Sequence, residues 1–408
     1  MEKKWKLCIV ISFILMIQIC LVNSVVAAEI KPKEKVYRFD DQMWVERKDY
    51  GLIARNVSKV KIGSYSNHWE IFLKQRGKKA VKEVDLFHKK KGISTNYKMN
   101  TVFKNTKYFF PMLDRSLCID KKNQLLLTGK DVCHLFARHS TEKECEKSFG
   151  KYKNQIVQKN IYGSKCWCDS DMFAYVKNNN LYLTGSAVAS PNDYECYKNE
   201  TVKTFFQGKG NKIKEVVCGE CDGYGKSNIF VLMKDGSVWG MGNNKCKMLS
   251  NSKQEYYHDF INIIPKGVKN ISANSKNVAI IKKNGSLYVW GKTLKSRKKN
   301  FSFNPKRIAK NVSEVSISDA GFEGGTVLVY LKKNKIAYGL GENVDYALTG
   351  KYKKGWNSKS VVLRKNIKHV YAAPTATLLL DNKGKLYWTG TQDYYGQYDW
   401  VYGNEKNR

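Results

Sequence analysis

The chain has 408 residues, 42% of them hydrophobic, with 72 Lys and Arg against 36 Asp and Glu. That hydrophobic share supplies a sizeable core and excludes global disorder, while the length suits two ordinary domains or one large repeat array. The formal net charge of +36 sets up a field that attracts polyanions and weakens as salt rises.

In chain order the first element is an export signal. Lys3, Lys4 and Lys6 form a basic start, and Leu7 to Val22 is an apolar run broken only by Ser12 and Gln18. Val26, Ala27 and Ala28 follow, small residues where signal peptidase cuts, so residues 1–28 read as a signal peptide removed near Ala28. An uncleaved membrane anchor is the competing reading, for which the run is slightly short. A lipid anchor at Cys20 would want a small residue before it, and Ile19 stands there. No other stretch is apolar enough to cross a membrane. Removal takes away three lysines and one glutamate and leaves a charge of +34. Export makes chromosomal DNA an unexpected partner and points to wall polymers, anionic lipids or acidic proteins. The plainer reading is a solvated surface on a lysine-rich chain.

After a lead-in at 29–48, one phrase recurs: an Asn, an apolar residue, and another apolar residue three later. It begins as "YGLIARNVSKV" at Asn56 and returns at Asn105, Asn160, Lys212, Gly267, Asn311 ("PKRIAKNVSEV") and Asn366. The spacings are 49, 55, 52, 55, 44 and 55 residues. Five positions are Asn and one is Gly, the residues that best tolerate a positive φ, so each copy predicts a tight turn feeding a strand. The copy at Lys212 departs, although Asn211 precedes it.

Inside each period lies a second phrase, strand–turn–strand–Gly, as in "IFVLMKDGSVWGMG", "VAIIKKNGSLYVWG" and "LLLDNKGKLYWTG". The closing glycines are Gly129, Gly185, Gly242, Gly291, Gly341 and Gly390. Asp235-Gly236 and Asn284-Gly285 between alternating apolar residues are strong hairpin signals. The first period is degenerate but keeps Gly77 at its turn. Four short strands in about 50 residues make one blade of a β-propeller, and stacked blades supply the core that one blade lacks. A linear β-solenoid is the structural alternative. No Asn phrase follows the last hairpin, so the seventh blade lacks an outer strand. The surplus copy near the start predicts that residues of about 49–57 pair with the last blade and close the ring, removing two sheet edges. The expected architecture is an all-β, seven-bladed propeller over 49–408.

The segments "MKDGSVWGMGNN", "KKNGSLYVWGKT" and "NKGKLYWTGTQDYYGQYD" resemble the hairpins of propellers with regulator-of-chromosome-condensation type repeats. The resemblance covers roughly residues 50–400, and only Gly396-Gln397 approaches that family's usual Gly-Gln-Leu-Gly ending. It implies the family's architecture. A secretion signal fits its secreted bacterial branch, which includes β-lactamase inhibitor protein II, and implies a protein that binds another protein through loops on one rim.

The sequence holds no phosphate-binding loop, metalloprotease His-Glu motif or nucleophile elbow. His68, His88, His134, His139, His258 and His369 are scattered and read as surface or core residues. Two of the eleven cysteines fall in the signal; the other nine are Cys118, Cys133, Cys145, Cys166, Cys168, Cys196, Cys218, Cys221 and Cys246. Clustered cysteines in an exported chain suggest disulfides, with at least one left over. Cys166 and Cys218 each lie six residues after a repeat turn, on neighbouring inner strands. With Cys168 and Cys221 they suit disulfides, buried thiols, a zinc site or a redox pair. In the last loop, Tyr394, Tyr395, Tyr398 and Trp400 beside glycine suit interface anchors. The expectation is a secreted, monomeric, non-enzymatic binding module without cofactor or metal. Its partner is a protein held by rim loops or, alternatively, an anionic surface polymer; an enzyme acting on cell-surface glycans is the remaining alternative.

Overall fold

The structure is a computed structural model. It describes residues 34–39, 42–65, 68–89, 97–111, 115–129, 152–161, 166–169, 172–184, 203–219, 228–294, 300–320, 325–343, 346–348 and 356–395. These form seven antiparallel sheets, six of four strands and one of five. Each of the six takes four strands consecutive in the chain, the meander that the strand–turn–strand pattern predicts.

Burial explains the sequence of each strand. The second strands, such as Asn228–Met233 and Gly325–Lys332, are sandwiched between neighbouring blades and buried almost throughout. They therefore read as continuous apolar runs, the signature of a strand covered on both faces. The outer strand Tyr256–Ile264 is half-exposed and mostly polar in its outward positions. The apolar clusters lie chiefly between blades rather than within one; a single cluster joins Phe110 and Leu117 of the second blade to Phe173 and Tyr175 of the third.

The repeated Asn staples the ring. Asn56, Asn105, Asn160, Asn311 and Asn366 all have φ between 56° and 62°, and Gly267 has φ 87°. In that conformation the next residue's N–H points at the hairpin of the preceding blade. Val312 donates to the Gly285 carbonyl at 2.8 Å, Val268 to Gly236 at 3.0 Å, Ile367 to Lys335 at 3.0 Å and Ile161 to Asn123 at 3.0 Å. The turn residue's own carbonyl meanwhile accepts from its own blade's hairpin, as Asn311 does from Lys333 at 2.8 Å. At the departing copy the hairpin acceptor is Asn179, whose carbonyl takes the Gly210 N–H at 2.7 Å.

The ring closes as the surplus phrase predicts. β1 (Glu34–Phe39) and β2 (Gln42–Ala54) join the seventh sheet, in which β2 pairs antiparallel with the third strand, Leu386–Tyr395, from Gln42 opposite Tyr395 to Ala54 opposite Leu386. The strand begins before the expected phrase, and β1 adds a fifth strand outside it. A bulge interrupts the pairing between Arg47 and Gly51. The Arg47 side chain folds over Gly51, where any Cβ would collide with its guanidinium. Across the closing seam, the Val57 N–H donates to Gly384 at 2.8 Å. Trp69 of the first blade and Trp388 of the seventh meet edge-to-face, with centroids 5.9 Å apart. Both indoles are satisfied: Trp69 Nε1 donates to the Thr391 carbonyl at 3.0 Å and Trp388 Nε1 to the Tyr97 hydroxyl at 3.2 Å.

Candidate anion-binding rim

Antiparallel order places two kinds of connection at one end of every blade: the hairpin between strands two and three, and the turn into the next blade. The staple bonds join the two directly, so they form one continuous rim. Exposed cations gather there. Arg55, Lys104, Lys159, Lys266, Lys310 and Lys365 each stand immediately before a repeat turn, and the variant turn carries Lys209 and Lys212. The hairpins contribute Arg76, Lys122, Lys234, Lys283, Lys333 and Lys383, with the half-buried Lys177 in the third blade, one from each blade. Lys107, Lys214, Lys269 and Lys368 add an inner set just past the turns.

Carboxylates on this rim serve the turns. Asp120 accepts the N–H of Lys122 at 2.8 Å and of Gln124 at 2.9 Å. Asp235 accepts the Ser237 N–H and hydroxyl at 2.7 and 2.8 Å, and these bonds hold its carboxyl below the usual carboxylate range. Asp381 takes the Lys385 N–H at 2.8 Å. The cations bridge neighbouring blades: Lys283 Nζ donates to the Asp235 carbonyl at 3.3 Å, and Arg76 to Asn382 at 3.4 Å. At these two seams a hairpin cation of one blade reaches the hairpin of its neighbour. Tyrosines close to the rim are already covered, Tyr288 by Lys282 at 4.8 Å, Tyr338 by Lys332 at 4.8 Å and Tyr387 by Arg364 at 4.0 Å. Ile156 and Val362, the exposed large hydrophobics among the described residues, lie on outer strands four residues before the turns at Asn160 and Asn366. The opposite rim, among its described residues, mixes signs: Lys245 pairs with Glu255 at 3.5 Å, and Asp319 and Glu342 stand among lysines.

Towards the axis, inner strands expose edge N–H groups that need acceptors. Side chains of one blade cap the edge of the next. Glu314 accepts from the Val370 N–H at 3.1 Å and meets His369 Nδ1 at 3.0 Å. Ser316 accepts from Ala372 at 2.9 Å, and Ser272 from Ile317 at 3.2 Å. Glu215 is partly accessible here, yet desolvation by the surrounding strands holds its carboxyl above the usual range, with Lys61 and Lys214 pulling it down. Lys59, packed over Tyr108 at 5.0 Å, is held below the usual lysine range by burial and then by Lys61 and Lys74.

The expected site residues fare differently. Tyr394 and Tyr395 lie at the end of the third strand of the seventh blade, opposite Met43 and Gln42, with side chains outside the described residues, as are Tyr398 and Trp400 altogether. Among the cysteines, Cys118 is a correction to the disulfide expectation: it is a buried free thiol, pushed up to about 12 by burial and then by Asp120. Cys166 and Cys168 lie on the inner strand Cys166–Asp169 of the third blade and Cys218 on that of the fourth, as their equal offsets predict. Cys246 packs against the cluster between the fourth and fifth blades. Cys133, Cys145, Cys196 and Cys221, and the side chains of Cys166 and Cys168, lie outside the described residues. The described residues hold no cluster of metal-ligating side chains and no helix long and apolar enough to cross a membrane. The rim was not read from sequence, though its signal is plain afterwards: a Lys or Arg precedes each Asn or Gly turn.

Comparison with solved structures places the fold among propellers of the chromosome-condensation regulator type. The chain superposes on human WBSCR16 with a TM-score of 0.58 at 13% identity, over 85% of this chain and 89% of that one. It matches yeast RCC1 (Prp20) in complex with Kap60 at 0.54 and 13%, over 83% and 82%. For Prp20p from Saccharomyces cerevisiae, characterised for its binding to Gsp1p and histones, the values are 0.53 and 12%, over 83% and 84%. At such identities the likeness shows the fold alone. No protein-family model and no curated protein matches the chain.

Proposed function

We propose that this protein is an exported, non-catalytic binding module whose cationic rim holds an anionic surface polymer. The observation that carries the reading is the segregation of cations: among the described residues every blade presents Lys or Arg on the same rim, and the tyrosines close to it are covered by cationic side chains. Paired cations at each seam suit single phosphate, sulfate or carboxylate groups, and their repetition around the ring suits a partner with repeated charges. Lysine ammonium groups act as point charges without fixed geometry, so the interface tolerates many registers. Binding of this kind releases counterions and falls steeply with salt.

A second reading is recognition of a protein through loops on the opposite rim. Its support is that yeast RCC1, whose fold this chain shares, is seen in complex with the protein Kap60.

The test is binding of long-chain polyphosphate, followed by fluorescence anisotropy across a salt series. Lys122, Lys283, Lys333 and Lys383 are changed together to Glu, and in a second variant Lys245, Lys247 and Lys253 are changed likewise. The rim variant is expected to lose at least tenfold in affinity and to flatten the salt dependence, with the opposite-rim variant close to wild type. Equal losses in both variants, or no binding at physiological salt, would overturn the polymer reading. Retention of a discrete protein from culture extracts at high salt would favour the second.

A further inference from the structure

The seam between the first and second blades gathers lysines on one wall. Lys59 of the inner strand Val57–Tyr65 stands directly opposite Lys74 of the neighbouring strand His68–Gln75, and Lys61 follows two residues on, on the same face. Like charges set opposite each other weaken a sheet. This face turns to the second blade. The Lys59 ammonium lies 5.0 Å from the ring centroid of Tyr108 and 5.3 Å from that of Phe109. Lys74 Nζ reaches the Thr106 carbonyl at 3.5 Å, the long end of a hydrogen bond. Burial, then Lys61 and Lys74, hold Lys59 below the usual lysine range, and no carboxylate among the described residues acts on it. Glu215 of the fourth blade faces Lys61, with desolvation favouring its neutral form.

The other wall carries an unmet donor. The residue after each repeat turn is Val57, Ile161, Ile213, Val268, Val312 or Ile367, but in the second blade it is Thr106. Its equivalents pack against the blade before, Val312 among residues of the fifth and Ile367 among those of the sixth, so Thr106 turns its side chain to the first blade. It is 6% exposed, and its hydroxyl is buried without a hydrogen-bond partner. Valine would fill the same shape without that penalty. We propose that this seam binds one phosphate monoester group, the end of a polyanion lying on the rim: the ammonium groups of Lys59, Lys61 and Lys74 match its charge, and the Thr106 hydroxyl donates to one of its oxygens as Lys74 leaves the Thr106 carbonyl. The end-group assignment rests on the rim reading above. A phosphodiester inside a polymer carries a single negative charge, whereas a terminal monoester carries about −1.5 to −2 at pH 7, which suits three close cations. The site opens on the cationic rim, because Thr106 follows the turn at Asn105 and Lys74 stands two residues before the hairpin cation Arg76.

Inorganic phosphate tests the site without the rim, by calorimetric titration of the full chain. One saturable equivalent per chain is expected. Lys59→Met keeps an apolar stem over Tyr108 without the charge and should weaken binding about tenfold or more, and Thr106→Val roughly threefold, the usual effects of losing a charged and a neutral hydrogen bond. Lys245→Met on the opposite rim should bind as wild type does. Absence of saturable binding, wild-type affinity in both Lys59→Met and Thr106→Val, or an equal loss in Lys245→Met would overturn the site, whatever the rim does with long-chain polyphosphate. Linear tripolyphosphate, which has two ends, and cyclic trimetaphosphate, which has none, then test the end-group assignment. Lys59→Met should weaken the linear ligand about tenfold and the cyclic one less than about twofold. Equal losses for both would overturn that assignment, and a loss confined to inorganic phosphate would do the same by making the free ion the ligand.

Discussion

At the scale of single residues, the fold depends on backbone conformations that few side chains accept. Asn311 sits at φ 57° and serves two staple bonds, through the Val312 N–H and its own carbonyl. Asn311→Ala should cost about 1–2 kcal/mol, the left-handed penalty for an ordinary L-residue, while Asn311→Gly should be close to neutral. Urea denaturation of the three proteins checks the order, and an alanine variant as stable as wild type would remove the turn's conformational role. Gly341 makes a stricter demand: its φ is 105°, and a Cβ there would run into the Thr326 carbonyl. Gly341→Ala should lose at least about 1–3 kcal/mol, seen as a lower Tm. The same steric demand recurs at Gly291 against Lys276 and at Gly390 against Thr375. That is why the closing glycine was legible as a repeat mark before its reason was known.

Among the elements, β2 has the largest consequence. It supplies the outer partner of Leu386–Tyr395 and covers one core cluster with Ile53 and Ala54, which also contains Trp69, Leu378 and Trp388. Deleting residues 29–57 should leave an open edge in the seventh blade and expose the tryptophan pair. The expected outcome is aggregation on size-exclusion chromatography and a broad, non-cooperative melt. A sharp melt at the wild-type temperature would show that the ring closes without the strand. The clue in the sequence was the mismatch between seven turn phrases and a last hairpin with no phrase after it. The fifth strand β1 carried no such mark, because a strand added outside a complete blade repeats nothing.

Over the whole molecule, seven similar turns become one charged surface only because the ring sets them side by side. The inner rim lysines then couple binding to the Glu215 carboxyl beside them. A polyanion seated near Lys214 and Lys61 would offset the two charges that pull the Glu215 carboxyl down, so occupancy should raise its titration midpoint further. By reciprocity, acid should tighten polyanion binding through this group. The measurement is the polyphosphate affinity at pH 5 and pH 8 in wild type and Glu215→Gln. The excess tightening in wild type should vanish in the variant, and an identical pH dependence in both would separate the rim from this carboxyl.

By itself the sequence determined the repeat, the number of blades, the turn chemistry and the closure, because each rests on local demands. Positive φ selects Asn or Gly, and burial on both faces selects unbroken apolar strands. Seven copies of a weak signal reinforce one another. Only the tertiary structure decided where the charge lies, because Lys104 and Lys383 belong to one rim solely through the blades that carry them. It also decided that Glu314 and His369 meet across a seam, since 55 residues of chain separate two groups whose pairing depends on how inner strands pack around an axis. The expected aromatic anchors Tyr394 and Tyr395 rest on residue type beside glycine, and residue type does not say which way a strand end points.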